Sequence, residues 1–163
     1  MGFAESYLGQ LRAAMGQRPL LVIGVRVLVE DGAGRVLILR RSDTGDWGLP
    51  AGAMELGESL EEAMRREVLE EANATLGEIE VFGISSDPSV ERFTYPNGDQ
   101  VQTVSVLARA RLSDGEMRSN DGEAHAFRFV DPASVAAEDF TRPEYPSLQA
   151  YVRWRATGSF QFF

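Results

Sequence analysis

The chain predicts an α/β sandwich, a mixed β-sheet held between helices, and three observations lead there. Strand-like stretches recur at 20–29, 79–84, 100–111 and 124–130. Only a few helical stretches lie among them, the clearest over 59–72. A length of 163 residues, 44% of them hydrophobic, supplies one sizeable core and gives no cause to divide the chain in two.

The elements follow in order. Tyr7, Leu8, Leu11, Ala14 and Met15 have helical spacing and stop at Gly16 and Pro19, so residues 1–19 read as a short helical extension covering an edge of the fold or a partner subunit. Residues 20–29 are mostly β-branched or aliphatic; Asp31-Gly32 and Gly34 turn the chain and 35–40 returns, which predicts a hairpin. Residues 42–56, with Trp47, Pro50 and Gly45, Gly48 and Gly52, read as a loop. Ser59 can cap the next helix while Glu62, three residues on, answers the Ser59 amide. Tyr-Pro-Asn-Gly-Asp at 95–99 is a turn signal, Pro132 suits a first helical turn, and 148–154 predicts a last helix. Residues 20–157 then form the main domain. Residues 158–163, with Phe160, Phe162 and Phe163, form an aromatic tail suited to packing or to a subunit contact.

Composition excludes several classes of function. There is no cysteine, hence no disulfide, thiolate metal site or cysteine nucleophile, which suits a reducing, cytoplasmic location. The first fifteen residues do not resemble a secretory signal, and no apolar run is long enough to cross a bilayer. A net charge of −9 argues against a surface for gripping duplex nucleic acid but not against a small nucleotide, because bound cations can reverse a local field. The lone histidine, His125, offers no second imidazole for a zinc pair and reads as structural.

The chemistry concentrates on the 59–72 helix. At 100° per residue, Leu60, Met64 and Val68 form its apolar stripe, and Glu67 and Glu71 fall within or beside it. A carboxylate aimed at a core is costly unless a cation or hydrogen-bond donors meet it. Glu67, Glu70 and Glu71 are also mutual neighbours and would repel one another if bare. Oxygen ligands without cysteine or a local histidine favour Mg²⁺ or Mn²⁺. Arg66 can reach Glu62 and Glu70, and the Ala51 carbonyl, in the tight Ala51-Gly52 approach to the helix, can add a backbone oxygen.

Gly52, five residues, Glu58, seven residues, then Arg66-Glu67-Val68-Leu69-Glu70-Glu71 resembles the signature of the Nudix (MutT-like) hydrolase family. Six fixed identities coincide by chance at about one position in ten million. The Trp47-Gly48-Leu49-Pro50 approach and the flanking strands extend the likeness over 20–155, with Asn73 where the family usually has glycine and Ala51-Gly52 where it has a glycine pair. The resemblance implies a Nudix-like α/β/α sandwich and metal-dependent hydrolysis of a phosphate anhydride in a nucleoside diphosphate linked to another group. It also implies roles. Glu67, Glu70 and Glu71 look like the core metal and base residues, with Glu67 the preferred base. Glu58 resembles a supporting ligand, Arg66 an orienting residue, and a homodimer is a family habit.

Outside the signature, Glu123 follows Asp121-Gly122 and is either an extra metal ligand or base, or an exposed turn charge. Arg40 and Arg41 precede the loop, where either could meet a substrate phosphate or cap the surface. Arg26 interrupts an apolar alternation and faces either the cleft or solvent. Phe93 and Tyr95 could stack on a nucleobase or lie beneath a hairpin, and Trp47 reads as support for the loop. Removal of pyrophosphate from RNA 5′ ends and a non-catalytic nucleotide-binding module are the competing functions.

Overall fold

The computed structural model describes residues 3–95 and 97–163; Met1 and Gly2 of the expected extension and Pro96 of the expected turn lie outside the described residues. Helix α1 (Tyr7–Met15) starts at Ser6, whose hydroxyl accepts the Gly9 amide, and ends at Gly16 with positive φ. It leads into β1 (Leu20–Glu30), the strand on which the molecule is organised. Along one edge β1 runs parallel to β7 (Gln100–Asp114), from Leu20↔Val101 to Glu30↔Arg111. Beyond β7 lie β5 (Thr75–Ser85) and β9 (Gln161–Phe162), so the aromatic tail closes the sheet as a parallel strand beside Gly83 and Ile84.

The other edge of β1 is shared, and the expected hairpin between β1 and the next strand forms but is short. Strand β2 (Val36–Arg41) meets β1 at one pair, Glu30↔Val36. The earlier stretch Gly24 to Arg26 is taken by β4 (Ala51–Ala53), part of the segment expected as loop. Displaced, β2 pairs with β3 (Trp47–Gly48) and with β8 (Ala124–Val130). The Asp31 carboxylate, accepting the Ala33 and Arg35 amides, still shapes the turn. Its local chemistry was legible in the sequence; the competitor for the strand edge was not.

Two cores flank the sheet, because successive β1 residues point to opposite faces. Val25, Val27 and Val29 meet Met64, Val68 and Ala72 of α2 (Leu60–Ala72). On the other face Leu28, Ile38 and Phe82 meet Leu148 and Tyr151 of α4 (Tyr145–Thr157). Each Val, Leu, Ile, Met or Phe side chain among these, fully buried, contributes about 1.5–3 kcal/mol. Helix α2 has the anticipated capping box: Ser59 accepts the Glu62 amide and Glu62 accepts the Ser59 amide. Among the described residues no helix is long and apolar enough to cross a membrane.

A buried ion pair joins these layers. Arg26, on β1, donates to both carboxylate oxygens of Glu91 at 2.6 and 2.9 Å and to Ser147 of α4 at 3.1 Å. Glu91, 1% exposed, ends the one-turn helix α3 (Pro88–Glu91) and also accepts from Ser85, Thr103 and Ser105. Two of those partners lie on β7, so the network fastens the turn before β6 (Arg92–Thr94) to the sheet centre. Glu91→Ala strands a buried guanidinium and should lower unfolding free energy by about 3–5 kcal/mol. Denaturant titration checks this, with Glu91→Gln expected to lose less because it keeps acceptors for the hydroxyls.

Candidate active site

The site begins with the register of β4. Val27 donates to the Pro50 carbonyl and Met54 to the Ile23 carbonyl, with Val25 opposite Gly52 between them. Alternation along an antiparallel ladder therefore turns the peptide groups of Ala51 and Ala53 away from β1, toward α2. There the Ala51 amide donates to Glu71 at 2.9 Å and the Ala53 carbonyl accepts from Arg66 at 3.0 Å. Glycine at 52 leaves room for Glu67: a Cβ there would overlap its carboxyl group and displace it. Strand and helix thus approach as closely as backbone and carboxylate permit.

Arg66 sits among the carboxylates and uses all five of its N–H donors. Nε and Nη2 hold Glu58 at 2.6 and 3.1 Å, Nη1 holds Glu67 at 2.8 Å and Glu70 at 3.2 Å, and Nη2 also reaches Ala53. This fork depresses the Glu58 carboxyl below its usual range and raises the Arg66 pKa. Glu67 and Glu71 behave oppositely. Burial, opposed by Arg66, lifts Glu67 to about 7, and burial with repulsion from Glu67 lifts Glu71 well above the ordinary value.

Among the described residues no three acidic or histidine side chains converge in a geometry ready for an ion, since Arg66 draws three of the glutamates to itself. The donors nonetheless fit a hard divalent cation. All are oxygens, two belong to carboxyl groups disfavoured as bare anions, and Ala51 turns its carbonyl away from β1 on the side of the cluster. Glu58, Glu67, Glu70, Glu71 and the Ala51 carbonyl are the residues that could hold it. Glu123 belongs with them electrostatically: its charge acts on both Glu67 and Glu71, and partial burial with repulsion from Asp121 raises its own carboxyl.

The remaining expected residues divide. Arg41 faces the acidic group, under the fields of Glu144 and Glu71, while Asp43 takes its Nε and Nη2. Arg40 is turned elsewhere: its Nε donates to the Gly45 carbonyl and its guanidinium lies 6.0 Å from the Trp47 ring. Arg26 is a correction: it faces neither cleft nor solvent but is buried on the α4 side, committed to Glu91. Tyr95 lies within the fields of Arg41, Glu144 and Glu123, its phenol raised first by burial, and Phe93 meets it edge-on at 4.9 Å. Trp47 braces the approach, its carbonyl accepting the Thr141 amide and its ring lying 3.7 Å from the Arg128 guanidinium.

Sequence reasoning missed Glu144. It stands at the start of α4, yet its carboxylate leaves that helix and accepts the Leu49 amide at 2.6 Å. It is 5% exposed, and burial, countered by Arg26 and Arg41, raises its carboxyl. A Cβ on Gly48 would come within 2.6 Å of the same oxygen. The one available signal was an acidic residue between Pro143 and Pro146, which reads locally as an ordinary cap.

The site thus combines a β4 edge bearing glycine, a glutamate-rich helix, and one arginine that binds two carboxylates of that helix and Glu58 just before it. Residues 20–151 match the NUDIX domain, and the chain belongs to that family as an enzyme of the pyrophosphohydrolase kind. Among similar sequences, a MutT-like protein of Streptomyces ambofaciens is 30% identical over 131 residues, covering 77% of this chain and 84% of that one. An ADP-ribose pyrophosphatase of Methanocaldococcus jannaschii is 27% identical over 124 residues, covering 74% and 68%. A NUDIX hydrolase from Nitrosomonas europaea superposes with a TM-score of 0.67 at 28% identity, covering 87% of this chain and 76% of that one. Nudix hydrolases generally use divalent metals and act on small nucleotides.

The raised carboxyls set a pH dependence for the metal-free protein. Glu67 binds a proton more tightly when folded, so its contribution is present below about pH 4.5 and is lost as pH rises through about 7. That contribution is worth roughly 3 kcal/mol. In chelator, Tm should therefore fall between pH 5 and 8, and Glu67→Gln should flatten the slope; thermal melts across that range measure both.

Proposed function

We propose that this chain hydrolyses a phosphate anhydride bond in a nucleoside diphosphate joined to a second group, using Mg²⁺ or Mn²⁺. Nucleoside triphosphates, dinucleoside polyphosphates and nucleotide sugars make up the substrate class. The observation that carries this reading is the clustering of Glu58, Glu67 and Glu70 on Arg66 while Glu67 and Glu71 are pressed against β4. Five carboxylates with one central guanidinium favour added positive charge, and a nucleotide diphosphate arrives with cations of its own.

Glu67 is the proposed base. Its raised carboxyl is matched to removing a proton from water near neutral pH, and Arg66 fixes one of its oxygens through Nη1. As the water oxygen bonds to phosphorus, the anhydride P–O bond breaks, its electrons leave on the departing phosphate, and the proton passes to a Glu67 oxygen. A bound divalent ion would neutralise the diphosphate and stabilise charge on the leaving oxygen. Glu70 is the second carboxylate of this chemistry; Glu58, Glu71, Glu123 and the Ala51 carbonyl complete the ligand set. Arg41, turned toward the acids, is the proposed phosphate contact, and Tyr95 with Phe93 the surface for a base. The absence of cysteine suits the cytoplasm, and light scattering tests the expected homodimer.

Glu67→Gln should lower kcat by about a hundredfold to ten-thousandfold without loss of Tm. Steady-state rates with Mg²⁺ or Mn²⁺, on a panel that includes triphosphate-ended RNA and with products identified by mass, provide the check. Unchanged turnover would remove Glu67 as base, and a panel left untouched would favour a binding module.

A further inference from the structure

The end of α2 is closed by another part of the chain. A helix leaves its last four carbonyls without intrahelical partners. Here the 115–123 loop answers three of them: the Asn120 amide donates to the Glu70 carbonyl at 2.8 Å, the Arg118 amide to Ala72 at 3.3 Å, and Asn120 Nδ2 to Leu69 at 2.8 Å. Asn73 turns this capping into a clamp. It occupies the left-handed position, φ 51° and ψ 37°, where glycine is the usual choice because it has no Cβ to crowd. An asparagine there offers what glycine lacks: its Nδ2 donates to the Glu116 carbonyl at 3.0 Å and its Oδ1 accepts from Asn120 Nδ2 at 3.1 Å.

The clamped loop carries Glu123. Between Asn120 and Glu123 the chain is braced internally: Ser119 donates to Asp121 at 2.6 Å and accepts the Gly122 amide, while Asp121 also accepts the Glu123 amide at 2.9 Å. Past the turn, Ser42 at the end of β2 donates through its amide to the Glu123 carbonyl at 2.8 Å and through its hydroxyl to Gly122. Glu123 is thus suspended between two anchors, the end of β2 and the end of the helix that bears Glu67, Glu70 and Glu71. A like-charged residue beside three glutamates would be pushed outward unless its backbone were held.

We infer that Asn73, through Asn120, is a positioning residue that fixes the Glu123 loop to the end of the glutamate helix and so sets Glu123 within reach of the bound cation. This rests on the proposed role of Glu123 as a cation ligand. Backbone capping alone would have been met by glycine at 73; the two side-chain bonds to the loop are what asparagine adds.

The test is Mn²⁺ binding to the substrate-free protein, read by the electron paramagnetic resonance of free Mn²⁺, with Tm in chelator as control. Asn73→Gly keeps the left-handed turn and removes only the clamp; Asn120→Ala attacks it from the other side and serves if Asn73→Gly folds poorly. Each should weaken Mn²⁺ binding about tenfold with little change in Tm. Glu123→Gln should weaken binding at least as much, and adding Asn73→Gly to it should change affinity less than twofold. Native affinity in both asparagine variants, with Glu123→Gln impaired, overturns the inference and leaves the role of Glu123 standing. An equal loss from Asn73→Gly in the Glu123→Gln background also overturns it, since the asparagine then acts through the helix itself. Native affinity in Glu123→Gln removes both that role and the inference.

Discussion

One guanidinium set among five carboxylates is the constraint to which the rest of the molecule answers. Two unit charges 4 Å apart near a protein surface interact by about 4 kcal/mol, so Glu58, Glu67, Glu70, Glu71 and Glu123 cannot share one region passively. Arg66 neutralises part of this and fixes its geometry, reaching three of the five and spending its last donor on the Ala53 carbonyl. Lysine could not do the same, because a single ammonium lacks the planar fork that holds Glu58 by two oxygens while reaching Glu67. Under the proposed function, the residual negative charge is what a divalent ion would meet.

Segment 48–52 is where the two helical layers meet across the sheet. Successive outward amides of that segment are taken by carboxylates from opposite sides: Leu49 by Glu144 at the start of α4, and Ala51 by Glu71 on α2. The two acids act on each other electrically, and Arg41 lies in the field of both. Glycines at 48 and 52 suit this arrangement, because a Cβ at 48 would collide with the Glu144 carboxyl group and one at 52 with that of Glu67. The local sequence Gly-Leu-Pro-Ala-Gly is therefore shaped by residues 20 and 95 positions away in the chain.

That separation explains which parts of the molecule were legible beforehand. Helix α2, its capping box and the facing of Glu67 and Glu71 toward the core depend on spacings of three and four residues, which a sequence displays directly. The longer strands β1, β2, β5, β7 and β8 were legible from their apolar runs, whereas the short β3 and β4 fell in a segment read as loop. The partner of Arg26 was not: an arginine in an apolar strand announces that something must compensate it, but Glu91 lies 65 residues on. Glu144 and the Asn73–Asn120 bond were hidden for the same reason. The hairpin was legible only in part. Its turn formed as the local chemistry required and β1 and β2 pair antiparallel beside it, but only at Glu30↔Val36, because β4 claims the earlier edge of β1.

The site is built against its own stability, and the surrounding structure has the form that this requires. Glu67 and Glu71 are buried where their ionised forms are disfavoured, so without added cations the folded protein is strained at the pH where it would work. A ligand that binds only the folded state offsets such strain in proportion to its affinity, which ties the empty protein's weakness to the loaded protein's strength. For the arrangement to persist before an ion arrives, the elements that hold it must not relax outward. The capping box fixes one end of α2 and the 115–123 loop the other, while the Arg26–Glu91 pair pins β1, β7 and α4 on the far face. Rigidity is thus concentrated around the acidic group rather than within it. Only in that distribution can repulsion be stored as readiness to bind instead of being lost as a local opening of the fold.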